Sequence, residues 1–103
     1  MNDIEVIAKI QLFENASQYF QFPRSTPFRT SIWEENGRGS SFCSILPQTL
    51  LKPGTVGLAQ VTIAAHPMIK INASIGMELR FGVFPIAIGS ILIVDEILDQ
   101  NEL

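Results

Sequence analysis

The sequence predicts an all-β protein, a small closed barrel of six strands rich in antiparallel pairs. Three observations carry this. Apolar residues recur with a period of two, as they do when alternate side chains of a strand point to opposite faces. Short strand-like runs are separated by turns containing Gly and Pro, the pattern of sandwiches and small barrels. The last run is apolar on both parities: Ile86, Ile88, Ile91 and Ile93 alongside Ala87, Leu92 and Val94. Both of its faces then need cover. One face can fill a barrel interior. The other is expected under the Glu14–Pro27 segment or under a partner.

Each element has its own signal. Ile4, Val6, Ala8 and Ile10 alternate with Glu5, Ile7, Lys9 and Gln11, which favours a strand ending near Phe13; a helix over Asp3–Gln11 is the alternative. Glu14–Pro27 is the longest irregular stretch and holds Tyr19, Phe20, Phe22, Pro23, Arg24 and Pro27. Long loops in small domains are commonly functional or packed down as a flap. Phe28–Trp33 is rich in β-formers, with Phe28, Thr30 and Ile32 on one face. Asn36-Gly37 is a strong hairpin signal, and Ser41–Leu46 is the return strand, stopped by Pro47. Pro53-Gly54 makes the next turn, because Pro fixes φ at one corner and Gly permits positive φ at the other. Val56–Ala65 is a strand. His66-Pro67 breaks or bulges its ladder, since proline donates no hydrogen bond, and Met68–Ile71 continues as an edge-like piece. Asn72–Gly76 is a turn. Met77–Phe84 and Ile86–Ile97 are the last strands, joined by a tight connection at Pro85. Residues 1–97 thus form a single barrel domain and residues 98–103 an acidic tail.

Composition bounds the function. A chain of 103 residues is one domain and buries roughly two-thirds of the surface it exposes when unfolded. Hydrophobic residues are 47% and charged residues only 17%, below the usual share of about 25%. That deficit implies either a very complete core or a partly apolar surface that expects company. The net charge is −3, yet residues 1–94 carry seven basic and six acidic groups. The excess of negative charge sits on Asp95, Glu96, Asp99 and Glu102. A solvated tail is the ordinary reading, and docking on a basic partner the functional one.

The single cysteine, Cys43, has no partner for an internal disulfide. MNDIEVIAK lacks the basic and apolar regions of a secretory signal. Phe81–Val94, the longest apolar run, is shorter than the roughly 20 residues of a spanning helix. Gly82, Pro85 and Gly89 also interrupt it. The expected location is cytoplasmic.

Little here suggests chemistry. No glycine-rich turn precedes Lys-Ser or Lys-Thr, which excludes a phosphate-cradling loop of that type. His66 and Cys43 would need two further metal ligands, and none stands at ligand spacing. Cys43 as a nucleophile would need a depressed thiol pKa. The expectation is no enzyme, no catalytic residue, no metal and no cofactor. Tyr19, Phe20, Phe22 and Trp33 could stack on bases, but the basic residues Lys9, Arg24, Arg29, Arg38, Lys52, Lys70 and Arg80 are scattered singly. Core packing and a protein interface suit these aromatics better.

Four short motifs stand in a telling order: Phe28-Arg29-Thr30, Leu51-Lys52-Pro53-Gly54, Val61-Thr62-Ile63-Ala64-Ala65-His66-Pro67 and Leu79-Arg80-Phe81. Over residues 4–97 this resembles the C-terminal (third) barrel domain of elongation factor Tu, standing without the factor's nucleotide-binding domain. The resemblance implies a translation-related barrel that contacts partners. Two departures qualify it. The family's polar glutamate-glycine-glycine-arginine hairpin is replaced by apolar Val83-Phe84-Pro85-Ile86. The loop that lies near transfer RNA in the family reads Pro23-Arg24-Ser25-Thr26-Pro27.

The expected function is a non-catalytic protein-binding module. Its candidate surface is Tyr19, Phe20, Phe22, Arg24, Arg29, Trp33 and Phe84, joined by Ile86. An immunity or antitoxin protein that neutralises a toxin by binding it is a specific version. A transfer-RNA-binding accessory module and a subunit that self-associates through its last strand are the alternatives.

Overall fold

In chain order the elements are β1 (Ile4–Leu12), a 3-10 helix (Glu14–Gln18), β2 (Phe28–Glu34), β3 (Ser41–Pro47), β4 (Val56–Ile63), β5 (Glu78–Val83) and β6 (Ile86–Glu96). The structure, a computed structural model, describes residues 3–36, 41–64 and 75–96. The strands close into a barrel in the order β1-β4-β3-β2-β5-β6, and every neighbouring pair is antiparallel. The expected fold class is therefore found, with no parallel pair among these strands.

Alternation builds the core. From β1, Val6, Ala8, Ile10 and Leu12 point inward and are almost fully buried, which settles strand over helix for this segment. Ile32 from β2, Cys43 and Ile45 from β3, Ala59, Val61 and Ile63 from β4, and Leu79 and Phe81 from β5 join them. Thr30 also faces inward. Its hydroxyl donates to the Gly82 carbonyl at 2.8 Å, so the polar atom is paired rather than stranded. The Pro53-Gly54 corner is a turn as expected: Gly54 has φ +79°, and the Thr55 amide donates to the Lys52 carbonyl at 3.1 Å.

β6 departs from simple alternation twice. Its pairing with β5 shifts between Phe81 and Gly82, which leaves Ile88 as the extra residue. Its pairing with β1 shifts between Ile7 and Ala8, which leaves Val94 extra. Each bulge moves the parity by one. Ile88, Ile91 and Ile93 consequently all reach the core, although their numbers change parity. Gly82 permits the first bulge with φ +148°, a conformation that side-chain-bearing residues rarely adopt. Gly89 lies under the Phe81 ring: a Cβ there would stand 2.5 Å from Phe81 Cε1, and the Gln11 carbonyl oxygen is closer still.

The Glu14–Pro27 segment does not cover the outer face of β6, contrary to expectation. Leu92 on that face is 37% exposed and Ile86 42%. The segment instead closes one end of the barrel. β1 and β2 stand opposite each other in the ring, so the chain between them crosses the mouth. Ala16 of the 3-10 helix is fully buried, and Phe20 and Phe22 pack against the core. The Phe13 amide donates to the Ile88 carbonyl at 2.9 Å, and Asn15 Nδ2 to the Ala87 carbonyl at 3.2 Å. Arg24 and Leu51 exchange backbone hydrogen bonds at 2.9 and 2.8 Å, which ties this cover to the β3–β4 connection. The expected His66-Pro67 break, the Met68–Ile71 piece and the acidic tail lie outside the described residues; the Asn72–Gly76 turn does so in part.

Two substitutions test the packing. Gly89→Ala overfills the space beneath Phe81 and is expected to cost about 1–3 kcal/mol of stability. That reads as a fall in Tm of roughly 4–8 °C per kcal/mol. Thr30→Val keeps the volume but removes the buried hydrogen bond to the Gly82 carbonyl, at a cost of about 0.5–1.5 kcal/mol. Urea titration measures both, and wild-type stability in either variant would contradict the corresponding contact.

Candidate partner-binding surface

Because β2 alternates, burying Thr30 and Ile32 turns Arg29 and Ser31 outward. Pairing sets their neighbours. Ser31 lies between Phe42 of β3 and Gly82 of β5, Arg29 beside Ser44, and Trp33 beside Arg80. Phe42 points outward and is 68% exposed, the most exposed large hydrophobic side chain among the described residues. Gly82 contributes no side chain on the other flank. The result is a shallow groove of about 310 Å³ lined by Phe20, Arg29, Thr30, Ser31, Phe42 and Gly82. A smaller hollow of about 70 Å³ includes Asp3, Arg29, Phe42 and Ser44. Phe42 and Arg29 border both.

The expected surface residues divide into two groups. Phe20 and Phe22 lean on the buried Phe28, with ring centroids 5.7 and 5.6 Å away. The Arg24 guanidinium sits 5.2 Å from the same ring. It also donates to Thr26 Oγ1 at 3.0 Å and to the Pro27 carbonyl at 3.3 Å. These three hold the barrel cover in place, and only Phe20 also reaches the groove. Arg29 and Trp33 belong instead to the outer side of β2, and Phe84 to the turn between β5 and β6. Trp33 is nearly buried, and Phe84 meets it edge-on at 5.1 Å while remaining 46% exposed. Tyr19 is 39% exposed at the end of the 3-10 helix and is not among the groove-lining residues.

Phe42 is the residue that the sequence reading passed over. Its signal was present: Phe42 and Leu46 share a parity in a strand whose other parity, Ser41, Cys43, Ile45 and Pro47, is buried. The buried set contains two small residues, so neither face of the strand advertised itself as the core.

Charge is sparse around the groove. Arg80, partly buried, is held between Glu35 at 3.1 Å and Glu78 at 3.0 Å. These acids, with Glu34, Asn36 and Met77, line a separate open hollow of about 450 Å³. No group of three or more His, Cys, Asp or Glu side chains suited to a metal ion occurs among the described residues. The strands leave no free edge, since each is paired on both sides, so an added strand has no ladder to extend.

Cys43 is buried, and burial pushes its thiol up to about 12 from 9.0. The thiol therefore stays protonated at neutral pH, the unreactive form. Above pH 9 an unfolded chain releases this proton while the folded one keeps it, so the contribution to stability falls as pH rises from 9 towards 12. The wild type is expected to lose up to about 1.4 kcal/mol per pH unit more than Cys43→Ala in that window. Urea titrations of both proteins at stepped alkaline pH measure the difference, and parallel pH profiles would show an ionised or exposed thiol.

No family model matches the chain, and none of the curated proteins does.

Proposed function

We propose that the chain is a non-catalytic protein-binding module built on a translation-factor-like barrel, and that it engages its partner through the outer face of β3, β2 and β5. The observation that supports this best is Phe42, a large aromatic ring 68% exposed at the edge of a groove that also presents Arg29. Fully burying such a ring removes about 1.5–3 kcal/mol of unfavourable hydration. Aromatic and arginine side chains are the types that dominate binding energy at protein interfaces. The Trp33–Phe84 pair extends the same face. Toxin neutralisation by binding is one form this function could take, and its partner would sit on this face.

Protein is favoured over RNA on charge. Tracking a phosphate backbone takes several cations along one path. Among the described residues Arg24 is turned onto Phe28, Arg80 is held by two glutamates, Lys9 lies on β1 and Lys52 in the β3–β4 connection.

Affinity capture with mass spectrometry, using the full chain, tests the reading. Phe42→Ala is expected to leave stability within about 0.5 kcal/mol of wild type, because the side chain is exposed. It should weaken partner recovery by about thirtyfold, the cost of a central interface anchor. Leu92→Ala, on the outer face of β6, should leave recovery unchanged. A partner held equally by wild type and Phe42→Ala, or recovery of RNA alone, would refute the proposal.

A further inference from the structure

The groove presents one cation, Arg29, that no described residue pairs with. Among the described residues the Arg29 side chain enters no ion pair and no hydrogen bond, whereas Arg24 and Arg80 are both engaged. Asp3, the acid that shares a hollow with Arg29, has an interaction of its own. Beside Arg29, Ser31 is half-buried and lines the groove, Phe20 and Phe42 form its apolar walls, and Gly82, itself buried, adds no side chain to it.

Resting on the protein-binding reading above, the geometry points to the class of partner: an extended acidic peptide segment. A carboxylate accepts hydrogen bonds from the Arg29 guanidinium, and an adjacent apolar side chain lies over Gly82 between Phe20 and Phe42. The chemistry selects this occupant. A guanidinium fork matches a carboxylate in two parallel hydrogen bonds, which an ammonium point charge does not. A single cation answers one acidic group, not the repeated phosphates of a nucleic acid. At about 310 Å³ the space stands at the lower limit of ligand clefts, room for a side chain and its carboxylate neighbour.

The test uses the isotopically labelled full chain and two capped pentapeptides, Gly-Leu-Glu-Phe-Gly and its neutral twin Gly-Leu-Gln-Phe-Gly, followed by nuclear magnetic resonance. The glutamate peptide should move the amides of Arg29, Ser31, Phe42 and Gly82 and bind about tenfold more tightly than the glutamine peptide. Arg29→Gln should erase that difference without changing Tm. Equal affinity for the two peptides, no shift in the groove at millimolar peptide, or displacement by a uridine oligonucleotide would overturn the inference. The capture experiment separates this from the broader reading. A partner lost with Phe42→Ala but kept with Arg29→Gln would reject the acidic segment while leaving protein binding in place. Loss of that partner by about tenfold with Arg29→Gln would support the acidic segment.

Discussion

The opposite placement of β1 and β2 in the ring governs much of what surrounds it. Neighbouring antiparallel strands are joined by hairpins of a few residues. Strands on opposite sides need a connection that crosses the mouth, and a connection in that position can pack only on the barrel interior. The sequence of the crossing answers this need. Ala16 is small enough for the 3-10 helix to settle into the mouth, and Phe20 and Phe22 bring rings down onto Phe28, whose ring centroid lies 6.4 Å from that of Phe81 on neighbouring β5. A six-stranded barrel is narrow enough for side chains to fill. Cover and interior are consequently one core, not a lid over a cavity.

Closure also decides where function can reside. Once every strand is paired on both sides, the backbone groups of the ring are committed, and only outward side chains remain to meet another molecule. This removes self-association through a free edge of β6, which pairs with β1 and β5. It leaves the outward parity of each strand as the place to look. On β3 and β2 that parity carries Phe42 and Arg29; on β4, β1 and β6 it carries Leu58, Lys9 and Leu92 in one cross-strand row.

Much of the ring was legible in the sequence because β1, β2 and β4 alternate cleanly and the Pro53-Gly54 corner has one sensible geometry. β6 was legible as a strand but not in its detail. Its apolar residues on both parities suggested two buried faces. They are largely one buried face interrupted by bulges, and the first bulge depends on Gly82 of the neighbouring strand β5. A period counted along one strand cannot see a register shift supplied by its neighbour. The candidate surface was legible in part. Arg29 and Trp33 do lie on the outer side of β2 with Phe84 of the β5–β6 turn against Trp33, while Phe22 and Arg24 serve the barrel cover. Distinguishing the two required knowing that Phe28 is buried beneath the loop, a tertiary fact. The low share of charged residues, 17%, did announce exposed apolar surface, without saying where.

Two exposed apolar regions compete for that role, and their physics differs. In the row across β4, β1 and β6, Lys9 separates Leu58 from Leu92, and the aliphatic stem of a lysine can cover leucine while its ammonium stays in water. Next to it, Leu46 pairs with Gln60, so apolar and polar groups alternate there too. The Phe42 face differs in having relief. A ring stands at one edge, a glycine leaves the middle low, and a second ring rises from the barrel cover. These features sit on paired strands and on a cover tied down by backbone hydrogen bonds, so little ordering remains to be done when a partner arrives. A scattered apolar surface gains area on contact. A rigid groove with one cation in it also fixes what may lie there, and that constraint makes the second region the stronger claimant.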